Sequence, residues 1–321
     1  MATTQATATA GGVQPAVPGA PQGSGGVERE FTVKARSQRQ QIIRRFTHNK
    51  VGMTGLVIFA LLLVFGFLGP LVDGKSYSDL DSSAQSVSPG HQGYLLGSDA
   101  IGRDLLSGLM SGVQRSLFIV LLFVAIALPL GLLVGALAGY FGKWVDSVLM
   151  RVVDLILTVP LLVVLIVVAS NFPGSRTPLG VGIILGLFGW LDLARIVRSQ
   201  FLSLREKEYV EAAHSLGASN SRIIFKHLIP NALGSLIVWT TLAAANAIIL
   251  EASLTYLGFG VNGSGETSLG RLVSDGVQAA STRPWLFYFP GIVLLVIVLS
   301  INLIGDGIRD AFDPSNRRVR A

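Results

Sequence analysis

Leu179-Gly-Val-Gly-Ile-Ile-Leu-Gly-Leu-Phe-Gly-Trp-Leu191, followed by Asp192-Leu-Ala-Arg195, is the stretch on which the fold turns. Its uncharged run is 13 residues long. As a helix rising about 1.5 Å per residue, that run falls short of a hydrocarbon core about 30 Å thick. It suits a span, a buried helix or a re-entrant segment equally. Five other segments need no such argument: 51–72, 117–138, 152–170, 232–250 and 285–304. Four of them hold no charged residue, and 152–170 holds one, Asp154 near its start. Charge placement decides the doubtful segment, because Lys and Arg beside spans collect on the cytoplasmic side. With six spans and the N-terminus inside, 19 of the 25 Lys and Arg are cytoplasmic; without 179–197 as a span, only 11 are. The chain is therefore read as an all-α membrane protein with six transmembrane helices and both termini cytoplasmic. Asp192 and Arg195 then sit at the cytoplasmic end of span four, where their side chains can reach water.

Composition agrees. Of 321 residues 50% are hydrophobic and only 14% charged, against roughly 25% charged in a soluble domain; the mean hydropathy is +0.59. The absence of cysteine excludes disulfides, thiolate metal sites and a Cys nucleophile. His48, His91, His214 and His227 lie too far apart to form a ligand pair at metal-site spacing.

Residues 1–41 are expected to form a disordered cytoplasmic tail, since 1–26 carry no charge and little to bury. With neither a basic start nor a continuous apolar core, the tail is not read as a signal peptide. From Arg36 to Lys50 the chain turns basic, with Ile42, Ile43 and Phe46 on one helical face. That pattern suits an interfacial helix or a basic flank that only sets topology. The remaining units are 42–72 (this helix and span one), 73–116 (an external loop with an amphipathic segment), 117–305 (a five-helix core) and 306–321 (a cytoplasmic tail). Gly131, Gly135 and Gly139, like Gly182 and Gly186, recur every fourth residue and permit close helix packing. Pro129 and Pro160 are expected to kink spans two and three.

Two phosphate-binding spellings fail on context. Gly69-Pro-Leu-Val-Asp-Gly74-Lys75-Ser76 has the P-loop pattern but ends a membrane helix on the outer face, with no strand before it. Gly258-Phe-Gly260-Val-Asn-Gly263 has the dinucleotide pattern without a βαβ unit. If ATP is used, another chain hydrolyses it.

The cytoplasmic loop 198–231 is the informative one. Its residues 205–216 suit a helix with Val210, Ala213 and Leu216 on one side, and Gly217 suits a left-handed cap. Ser219 can cap a second helix that runs to Pro230, where the missing N–H is expected to force a break. A DNA-reading helix–turn–helix needs a third helix and freedom to enter a groove, and this loop is tethered to spans at both ends. No nucleic-acid partner is expected. A docking element for a cytoplasmic protein fits better, because Ala and Gly permit close backbone approach.

Glu211-Ala212-Ala213, three residues, Gly217, and later Pro230 resemble the EAA motif of ABC importer permeases. Three further stretches resemble the C-type permeases of the dipeptide, oligopeptide and nickel branch: Leu96–Ser107 with Arg115-Ser116-Leu117, Glu251–Gly260, and Asn302–Pro314. Asn262–Leu269 departs from that branch, lacking its paired prolines and tryptophan.

The resemblance implies a type I ABC importer permease fold in a bacterial cell membrane, with spans two to six as the core and span one outside it. It also implies a sister permease subunit, one or two ABC ATPase subunits (or a fused one) and an external substrate-binding protein. ATP and Mg would be bound by the ATPases, with no cofactor in this chain. The cargo would be di- or oligopeptides, with nickel as the alternative within the family. A proton-coupled secondary transporter, the alternative outside it, would need ionisable groups that spans one, two and six lack.

Glu211, Ala212, Ala213, Leu216, Gly217 and Pro230 would form the ATPase contact, with Gly217 letting the helix turn and Glu211 fixing it by a charged hydrogen bond. The alternative is a loop held only by its own caps. Gly97, Asp99, Gly102, Arg103 and Asp104 form either an amphipathic helix at the outer mouth of the pore or an ion-pair network that orders the loop. Glu251 either lines the pathway, meeting a substrate amine, or pairs with a neighbouring helix.

Overall fold

The computed structural model describes residues 38–172, 174–262 and 265–312. The expectations for the N-terminal tail up to residue 37 and for 313–321 fall outside them. Among the described residues every regular element is helical, and five helices are long and apolar enough to cross a membrane, or six if one bent pair counts as a single span.

The chain enters through α1 (Gln38–His48) and span one, α2 (Lys50–Asp73). Asn49 makes the corner: its Oδ1 accepts the N–H groups of Val51 and Gly52, and its amide donates to Asp310 at 2.9 Å. The Phe46 ring of α1 lies against Gly52 and Gly307. At Gly307 the backbones of α2 and the last helix nearly touch, for a Cβ there would lie 2.5 Å from the Gly52 Cα.

Span two is α3 (Leu105–Phe141), 37 residues long. It begins well before the apolar stretch at 117, so the preceding loop is shorter than the sequence suggested. Pro129 lies inside α3 without breaking it. Span four is α6 (Pro178–Arg205), one continuous helix of 28 residues that is long and apolar enough to cross a membrane. Half of its most apolar window is buried, against 17–33% for the other continuous spans. A helix enclosed by protein needs less hydrophobicity than one facing lipid, which is why this span was the faint one in the sequence. The glycine repeats pack α3 and α6 reciprocally: a Cβ at Gly131 would lie 2.7 Å from Leu193, and one at Gly186 would lie 2.8 Å from Ile126.

Span three departs from expectation. Instead of a kinked helix there are two, α4 (Lys143–Leu157) and α5 (Leu161–Asn171), bent by 78°. Proline lacks the N–H that would continue α4, and its ring disfavours helical geometry at Val159. Thr158 terminates α4, with its hydroxyl donating to Leu155 O at 2.6 Å.

After α7 (Glu208–Ser215) and α8 (Asn220–Ile223), span five continues as α9 (Ile229–Tyr256), followed by the short α10 (Leu269–Ala279) and span six, α11 (Trp285–Phe312). Pro230 breaks nothing. Residues Ile224–Leu228 form a π turn, with the Ile229 N–H bonding Ile224 O five residues back. Proline thereby enters at the start of α9, where its missing N–H is tolerated.

Candidate functional site

The loop between spans four and five is built from short-range rules. α6 stops at Arg205, and α7 starts at Glu208 rather than running continuously from 205 to 216. Glu208 and Glu211 occupy the first turn of α7, where carboxylates suit the helix dipole. At its other end the Ala218 N–H bonds Ala213 O and the Gly217 N–H bonds His214 O, both at 3.0 Å. These are the paired bonds of a Schellman cap, with Gly217 at φ +78°. Ser219 Oγ then accepts the Arg222 N–H and starts α8.

The loop is bound to the bundle at three places. Val210 (5% exposed) packs in a core cluster with Phe201, Ile223 and Leu228. Arg205 Nη1 donates to the carbonyls of Gly139 and Tyr140 at the end of α3. The Tyr140 hydroxyl donates to Asn220 Oδ1 at 2.9 Å. Arg205, Tyr140 and Asn220 were not singled out from sequence, because nothing local marks residues that act across about 70 positions. An open cleft of about 840 Å³ lies here, lined by Tyr140, Arg205, Glu206, Glu211, His214 and Asn220 among others.

Two expectations for this loop change. Leu216 does not share the buried side of Val210; it caps α7 and is 88% exposed, with Phe225 nearby in sequence at 71%. Glu211 and Ala212 are exposed and Ala213 half-buried. The Glu211 carboxylate makes no hydrogen bond or ion pair among the described residues, so no charged bond to them from Glu211 fixes the helix.

The segment 97–104 is neither an amphipathic helix nor an ion-pair network. It is a tight turn in which Asp99 Oδ1 accepts the N–H groups of Ile101 and Arg103 at 2.9 and 2.8 Å. Gly97 and Gly102 both take φ +87°, and a Cβ at Gly102 would overlap Asp81 O at 1.9 Å. The Arg103 guanidinium stacks over Tyr77, 4.9 Å from the ring centre. Asp104, 4% exposed, caps α3 by accepting the Ser107 N–H at 2.7 Å. Burial raises its carboxyl above the usual range, and the Ser107 N–H partly offsets that.

Glu251 is 1% exposed. Its Oε1 accepts hydroxyls from Thr255 at 2.9 Å and from Ser268 at 2.6 Å, while Oε2 is buried without a partner. The Ser268 bond joins α9 to the start of α10, a helix the sequence reading left inside a loop. Its signal, a capping Ser268 before spaced leucines, was present but short.

Comparison with known proteins follows the same outline. Residues 131–318 match the family described as binding-protein-dependent transport system inner membrane component, and 37–89 match the N-terminal TM domain of oligopeptide transport permease C. The oligopeptide transport system permease protein OppC of Mycobacterium tuberculosis (strain H37Rv) is 39% identical over 284 residues, covering 88% of this chain and 97% of that one. The protein of the same name from Escherichia coli K12 is 39% identical over 289 residues, 90% of this chain and 95% of that one. For the Bacillus subtilis protein the identity is 34% over 293 residues, 91% and 95%. Among solved structures, the inward-facing MetNI methionine ABC transporter has a chain that superposes with a TM-score of 0.50 at 19% identity, covering 65% of this chain and 96% of that one. That likeness is one of fold. The chain belongs to the family of inner membrane components of binding-protein-dependent transport systems.

Proposed function

We propose that this chain is a permease subunit of an ATP-driven ABC importer for oligopeptides, forming half of a translocation pore with a sister permease. It performs no chemistry itself: one or two ATPase subunits, or a fused one, bind ATP and Mg and hydrolyse the nucleotide. An external binding protein delivers the substrate. The observation that carries the reading is α7, a rigid helix anchored by Val210 and closed by the Schellman cap, with Ala212 and Leu216 exposed. An exposed apolar knob beside small residues suits a cleft in a partner protein.

The Lys and Arg distribution supports a cytoplasmic position for this loop and both termini, in a bacterial cell membrane. ATPases closing on ATP would push α7, and the bistable helix bundle would pass from inward- to outward-facing. The oligopeptide names of the relatives favour peptide over nickel as cargo. A secondary transporter has no use for a docking helix of this kind.

The test is uptake of labelled oligopeptides and of nickel in cells lacking the gene, complemented with wild type or Gly217→Asp. Peptide uptake restored by wild type alone supports both cargo and coupling loop. Restoration by Gly217→Asp refutes the docking role, and nickel uptake in place of peptide moves the cargo.

A further inference from the structure

The end of α2 and the start of α3 enclose a cleft of about 510 Å³. Pro70 lines it from α2, Gly74 and Lys75 from the turn that follows α2, and Ser107, Ser111 and Arg115 from α3. Arg115 belongs to the Arg-Ser-Leu stretch singled out in the sequence, and its side chain makes no hydrogen bond or ion pair among the described residues. Its Nε is buried without an acceptor, an arrangement that costs free energy until an anion is supplied. Lys75 adds a second cation, held over the Tyr94 ring with Nζ donating to Gly93 O at 2.8 Å. No ion pair joins either cation to an acid among the described residues, and no acidic residue lines the cleft.

Depth identifies the anion. Gly74 follows α2, a 24-residue helix whose uncharged run ends at Val72 and whose last residue is Asp73, and Arg115 stands two residues before the apolar stretch beginning at Leu117. Both lie where hydrocarbon gives way to headgroups. The stretch from Pro70 to Gly74 also carries Leu71 and Val72, 80% and 89% exposed, and one turn beyond Arg115 Phe118 is 44% exposed. Apolar surface below and cations with hydroxyls above match the two halves of a phospholipid.

We propose that this cleft binds the headgroup phosphate of an anionic phospholipid, with Arg115 as its principal ligand and Lys75 and the serine hydroxyls assisting. The bound lipid would fasten span one to span two. It would also explain why two of the six cations outside the cytoplasmic set stand together.

The test uses the full chain in its complex, purified in detergent, with lipid retention read by native mass spectrometry and stability by thermal unfolding. Phosphatidylglycerol is expected to remain bound to wild type and to raise its unfolding temperature, whereas phosphatidylcholine and inorganic phosphate do neither. Arg115→Gln should weaken retention about tenfold, the equivalent of about 1.4 kcal/mol, while Arg115→Lys keeps most of it. If Arg115→Gln does not fold, Lys75→Gln should show a smaller loss in the same direction. Equal retention by wild type and these variants overturns the proposal. So does equal protection by inorganic phosphate, which would make this a free-anion site, or protection by a peptide with a free carboxylate but not by its amide, which would make it a substrate site.

Discussion

The Ser268 hydroxyl sits 2.6 Å from Glu251 Oε1 and also accepts the Arg271 N–H at 3.1 Å. One side chain therefore caps α10 and ties it to the far end of span five. The two bonds share an atom, so neither can be lost alone by changing Ser268.

Ser268→Ala is expected to destabilise the purified complex by about 1–2 kcal/mol, the usual cost of a lost N-cap, with a further loss from the carboxylate left behind. Glu251→Gln keeps an acceptor at Oε1 and should stay near wild type. Glu251→Ala and Ser268→Ala combined should cost less than the sum of the two, with a coupling of about 0.5–3 kcal/mol. Strict additivity in denaturant unfolding would show that the two side chains act independently.

Gly217 offers a cleaner separation of backbone from packing. Its φ is +78° and nothing in this chain lies within 4 Å of the position a Cβ would take, so a substitution there strains the backbone without crowding a neighbour within the chain. Asn, which enters the left-handed region readily, should preserve ATP-coupled uptake, whereas Val should impair it at a backbone cost of about 1–2 kcal/mol. Equal uptake by Gly217→Asn and Gly217→Val in proteoliposomes would remove the cap from the coupling path.

Much of this was legible in the sequence because the signals were local. The five apolar segments, the Gly217 cap and the Ser219 N-cap follow from composition and from bonds closed within a few residues. Span four was legible only through the positive-inside count, since its own hydropathy reflects protein neighbours. What escaped depends on distant partners. Glu251 meets Ser268 across 17 positions, and Arg205 reaches the end of α3 across 66. The turn at 97–104 was expected as an amphipathic helix or an ion-pair network because its charges alternate, whereas Gly97 and Gly102 at positive φ fold it back as a turn. Pro160 and Pro230 show the same residue with two outcomes, a break where no compensating turn exists and a continuous helix where a π turn precedes it.

Asp104 gives a pH dependence whose direction is fixed. Burial raises its carboxyl from the ordinary value of 3.8, so the folded chain holds that proton more tightly than the unfolded one. Its contribution to stability is present at low pH and is lost as pH rises from 3.8 through the folded value. Asp104→Asn keeps an acceptor for the Ser107 N–H and removes the titration. Unfolding temperatures measured across this acid range should therefore fall with pH more steeply for wild type than for Asp104→Asn. Parallel curves would mean that the Asp104 proton is not linked to folding.

Pro230 and the π turn before it set how the loop between spans four and five is rotated on span five. The Ile229 N–H reaches back five residues to Ile224 O, and proline supplies no N–H that would draw this stretch into ordinary α geometry. Pro230→Ala restores that donor, and a plain α-helix through 224–228 would turn everything N-terminal to it by about 100°, the angle of one residue at 3.6 residues per turn. Helix content should be unchanged, while peptide taken up per ATP hydrolysed should fall. Because the chain has no cysteine, single introduced thiols report the rotation directly. Phe225→Cys (71% exposed in the native side chain) should label with maleimide and Leu228→Cys (fully buried) should not. On the Pro230→Ala background that contrast should diminish. Unchanged labelling together with unchanged coupling would show that the π turn survives without proline and that residue 230 does not set the loop's position.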